Sequence, residues 1–105
     1  MILILCTVPD EETAEKLAKG LVFERLSPCV NIIPKIRSIY FWNGKIEDDG
    51  ELLLLIKSKK EFFEEIKKYI VENHPYVVPE IISFKIESSF EKYRDWFLNY
   101  LHGVD

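Results

Sequence analysis

Two stretches of this chain are apolar at every position, Ile2-Leu3-Ile4-Leu5 and Leu52-Leu53-Leu54-Leu55-Ile56. A strand with one wet face alternates apolar and polar residues, so unbroken runs of this length read as strands covered on both sides. Whatever the chain folds into must place both runs in the middle of a sheet. The remaining segments have to supply the layers that cover them.

Those segments are legible in turn. Pro9-Asp10-Glu11-Glu12 offers a capping residue and first-turn acids, and Ala14, Leu17, Ala18, Leu21, Val22 and Leu26 follow at helical spacing. This predicts an amphipathic helix over about 10–26, stopped by Ser27-Pro28. Residues 29–42, CVNIIPKIRSIYFW, are β-branched and aromatic, and Pro34 confines them to a sheet edge or a bulge. Asn43-Gly44 is a hairpin turn, and the return strand from Lys45 to Ile56 carries Asp49-Gly50, read here as a bulge. Ser58 with Glu61 forms a capping box for a second helix with Phe62, Phe63, Ile66, Tyr69 and Ile70 on its buried stripe. Ile82, Phe84 and Ile86 alternate with Ser83, Lys85 and Glu87, a strand with one wet face. Ser88 and Glu91 make another capping box before a final helix bearing Phe90, Tyr93, Trp96, Phe97, Tyr100 and Leu101.

The order is βαββαβ plus a C-terminal helix, which right-handed crossovers fold into an α+β, ferredoxin-like arrangement with an antiparallel sheet, one domain over residues 1–105. The two apolar strands take the centre, and the proline-bearing and alternating strands take the edges. Both crossover helices then cover the same sheet face, yet the central strands are apolar on both. A large bare apolar surface marks an interface, so the chain is expected to be an obligate homo-oligomer with its sheets facing inward.

Composition excludes several function classes. The net charge of −4, with cations interspersed among acids, does not provide the basic face that nucleic-acid binding needs. No apolar run approaches the roughly 20 residues of a membrane span, and the N-terminus lacks a signal-peptide pattern, so a cytoplasmic protein with no membrane partner is expected. Its two cysteines then read as free thiols. The chain has no glutamine among abundant Glu and Lys, the balance of heat-adapted proteins.

Chemistry narrows to Cys6 and His74. Cys6 lies near the end of the first strand, His74 precedes the last, and antiparallel pairing of those strands is expected to let the two approach. Thiolate plus imidazole suits copper or zinc, with an acid such as Glu80 available to complete the set. The blander reading makes Cys6 a small core hydrophobe and His74 the end of a helix, meeting free carbonyls. Cys29 reads as packing, and His102 lies in the tail. A Cys6 nucleophile with His74 as base lacks an orienting group and an oxyanion device, and phosphate-loop motifs are absent, so no enzymatic activity is expected.

ERLSPCVNIIPKIRSIYFWNGKIEDDGE (24–51) and HPYVVPEI (74–81), with the opening LCTVPDEETAEKLA and late Tyr93-x-x-Trp96, closely resemble the divalent-cation tolerance protein CutA family. The resemblance covers nearly the whole chain. It implies a ferredoxin-like, cytoplasmic homotrimer built by pairing long hairpins between subunits, and a role in tolerance to copper and other divalent metal ions. Animal relatives are linked to anchoring acetylcholinesterase, and the architecture is similar to that of PII-type trimers, which bind small ligands in clefts between subunits. Copper-binding relatives use a cysteine ending the first strand and a His-His pair before Pro-Tyr. The cysteine matches Cys6 and the second histidine His74, whereas Asn73 stands at the first, so the resemblance implies weak copper binding through Cys6 and His74. The rival expectation is a PII-like sensor or scaffold that takes a small metabolite or protein partner.

Overall fold

A computed structural model describes residues 1–104. Its elements are β1 (Ile2–Val8), α1 (Glu11–Phe23), β2 (Cys29–Trp42), β3 (Lys45–Ser58), a 3-10 turn (Lys60–Phe62), α2 (Phe63–Asn73), β4 (Ile82–Lys85) and α3 (Glu91–Leu101). The strands form one antiparallel sheet in the order β2-β3-β1-β4, so the two all-apolar runs are its central strands, as expected. This is the ferredoxin-like α+β arrangement.

Alternation along the central strands sorts the sheet into two unlike faces. Ile2, Ile4, Cys6 and Val8 of β1 and Leu52, Leu54 and Ile56 of β3 are buried with Ala14, Leu17, Leu21, Ile66 and Ile70 of the helices. On the other face Leu3, Leu5, Leu53 and Leu55 are only half-buried. Register continues that second face outward to Ile82 and Phe84, the partners of Leu5 and Leu3, and to Ile33, the partner of Leu53. These three are 46%, 52% and 39% exposed, so the apolar surface expected from the sequence is present.

Because β1 reaches only the Leu52–Ser58 half of β3, the outer halves of β2 and β3 overhang the body as a two-stranded arm. It turns at Asn43-Gly44, both at positive φ (50° and 79°). Ile39, Phe41 and Ile46 lie exposed along it.

Several local expectations are corrected. The first helix stops at Phe23, because Arg25 adopts a left-handed φ of 57° and the amides of Leu26 and Ser27 turn back to the Leu21 carbonyl. The bulge lies between Ile33 and Ile36, where Lys35 has φ 58°, while Asp49-Gly50 pairs regularly with Ser38 and Arg37. Neither capping box forms. Ser58 is buried and donates to the Leu26 carbonyl, and the residues capping α2 and α3, Phe62 and Phe90, make no side-chain cap bond. All four β4 residues are exposed, since this edge strand lies outside the helix layer.

Candidate functional site

The candidate site gathers where β1 ends and the α2–β4 connection returns. Cys6 points into the helix-covered core and is fully buried, and its Sγ donates weakly to the Thr7 carbonyl at 3.7 Å. Burial, then the fields of Glu80 and Glu51, push the thiol up to about 12 from an ordinary 9.0. At neutral pH it is a protonated thiol with little thiolate character.

His74 follows the last turn of α2 and precedes Pro75, which holds it extended (φ −100°, ψ 138°) and ends the helix there. Its Nε2 lies 2.8 Å from the same Thr7 carbonyl. A carbonyl can only accept, so Nε2 carries the proton and donates. Nδ1 therefore holds the lone pair, and it accepts from the Tyr76 amide at 3.1 Å. Thus the structure does bring Cys6 and His74 together, through one shared backbone acceptor.

Tyr76 and Glu51 are the residues that motif reasoning passed over. The Tyr76 ring packs on the imidazole, centroids 4.7 Å apart and tilted 48°, and its hydroxyl donates to Glu51 Oε2 at 2.7 Å. Burial and this carboxylate push the Tyr76 phenol well up. Glu51 is only 6% exposed, just beyond the last β1–β3 pair. One signal was available: an acid opening an otherwise apolar run, with a tyrosine two residues past the histidine. Further along the arm Tyr40 donates to Asp49 at 2.6 Å, which raises that exposed phenol to about 12, and Arg37 forks onto Asp48.

The other candidates stand apart. Glu80 is exposed and reaches Cys6 only through its field. Cys29 is a half-buried free thiol, and burial together with this thiol raises the Tyr93 phenol. His102 is exposed at the end of α3. Among the described residues no group of three or more histidine, cysteine or acidic residues is placed to hold a metal ion. As folded, the donors do not fit a resident metal centre: the thiol is protonated and both imidazole nitrogens are engaged.

The profile of the family described as CutA1 divalent ion tolerance protein matches residues 2–99. The chain belongs to this family. It is 47% identical over 93 residues to the divalent-cation tolerance protein CutA of Thermus thermophilus, covering 89% of this chain and 90% of that one. It is 42% identical over 98 residues to the chloroplastic CutA of Arabidopsis thaliana, covering 93% of this chain but 54% of the plant protein. The chain thus spans about half the length of that plant relative. The crystal structure of CutA1 from Oryza sativa superposes with a TM-score of 0.92 at 38% identity, over 94% of this chain and 91% of that one. Among the described residues no helix is long and apolar enough to cross a membrane.

Proposed function

We propose that this chain serves divalent-cation tolerance as a cytoplasmic homotrimer without catalytic activity, engaging copper-like divalent ions weakly and reversibly through Cys6 and His74. The observation that carries the reading is the convergence of both side chains on the Thr7 carbonyl, within a chain of the CutA1 family. Metal here is a passing ligand rather than a resident cofactor. Weakness follows from the donors. An incoming ion must displace a thiol proton held more tightly than usual, and only two good donors wait for it. The negative fields of Glu51 and Glu80 favour a cation there. Trimer formation is supported by the half-bare apolar sheet face, which a second and third copy would cover. A reducing compartment suits two free thiols.

Titrating Cu²⁺ into the wild type, Cys6→Ala and His74→Gln tests the reading. Weaker binding in both variants is expected, and three identical isotherms would overturn this site. A second reading, a PII-like sensor of a small metabolite or protein partner, draws on the polar row of Glu51, Tyr76, Tyr40 and Asp49 along the open face. Melting shifts with metabolites and none with divalent ions would favour it.

A further inference from the structure

We infer that Tyr76 is a positioning residue that masks His74, and that its hydroxyl bond to Glu51 is the latch of the mask. The inference rests on the metal reading only for its copper arm. A neutral imidazole has one ring lone pair to give. The Thr7 carbonyl fixes the proton on Nε2, so that lone pair is on Nδ1, and the Tyr76 amide occupies it. No donor electron pair is free on His74 until the Tyr76 amide swings away. An electrophile of any kind meets the same obstacle.

Three restraints hold the amide in place. Pro75 keeps His74 extended, so the connection folds back with the amide two residues on aimed at its side chain, as in turns closed by Asn and Asp side chains. The aromatic ring lies against the imidazole. The hydroxyl is tied to a carboxylate on β3, a charge-assisted bond to a buried group. Only the last restraint can be removed without changing the backbone or the ring. Whatever takes the buried Glu51 carboxylate away from Tyr76 relaxes the mask.

Carbethoxylation of the intact chain with diethyl pyrocarbonate at constant pH reads the mask without metal, and peptide mapping separates His74 from exposed His102. Tyr76→Phe and Glu51→Ala should each raise the His74 rate by about tenfold or more, the scale set by losing one hydrogen bond to a charged group. Glu51→Gln, which keeps an acceptor for the phenol, should stay near the wild type. Copper affinity should rise in Tyr76→Phe, which frees the imidazole and keeps the Glu51 charge that favours a cation. In the wild type, ¹⁵N spectra should show His74 as the Nε2–H tautomer, a readout independent of how the variants fold. An Nδ1–H tautomer, or His74 rates unchanged in both variants, would overturn the mask. Faster carbethoxylation with no Cys6-dependent copper binding in any variant would support the mask and sink the metal reading instead.

Discussion

Cys6 binds its proton more tightly in the folded chain than in the unfolded one, and this sets a pH dependence. With the folded thiol near 12 and an ordinary value of 9.0, its contribution is intact below about pH 9. It declines as pH rises from there toward 12, because the unfolded chain gives up the proton first. Urea midpoints should fall over that window, and Cys6→Ala should flatten the early part of the fall. Tyr76, raised from 10.0 by burial and Glu51, adds a later loss that Tyr76→Phe removes. At pH 8 a thiol reagent should modify Cys29 quickly and Cys6 only on unfolding, checked by mass spectrometry of the labelled chain. The approach of residues 6 and 74 was legible because antiparallel pairing sets the start of the last strand beside the end of the first, although His74 itself stands in the connection ahead of Ile82. What each nitrogen of His74 does was not, since it depends on an amide and a carbonyl that every residue possesses.

Between elements, the contact of α1 with α2 turns on Gly20. A Cβ built there would lie 1.7 Å from the Tyr69 hydroxyl oxygen and 2.6 Å from the ring carbon bearing it. Gly20→Ala should therefore destabilise by about 1–3 kcal/mol, as overpacking does, despite alanine's better helix propensity. Adding Tyr69→Leu should recover part of the loss, measured as thermal midpoints of the single and double variants. At the hairpin turn, Gly44→Ala meets a φ of 79° with open space around it, so its cost is backbone strain alone. Element type and order were readable because hydrophobic period differs between strand and helix. Element ends were less so. Ser58 could satisfy a helix terminus or a neighbouring carbonyl, and the Leu26 carbonyl wins because the strand buries the hydroxyl beside it.

On the scale of the whole molecule, the sheet's open face decides behaviour. Ile33, Ile82 and Phe84 flank a half-buried row of leucines on the side away from the crossover helices α1 and α2. Native mass spectrometry should find three copies, and Phe84→Lys paired with Ile82→Lys should shift the population to single chains. A wild-type protein running as one copy would end the trimer reading. This surface was foreseeable from two apolar runs, because two crossover helices cover only one side. The arm raises a separate matter. Two strands without a third, and without a layer behind them, are marginal in water. Its amides would trade deuterium rapidly wherever a copy stands alone and slowly wherever neighbours clasp it, so isotope uptake at residues 36–50 would act as a gauge of subunit exchange in solution.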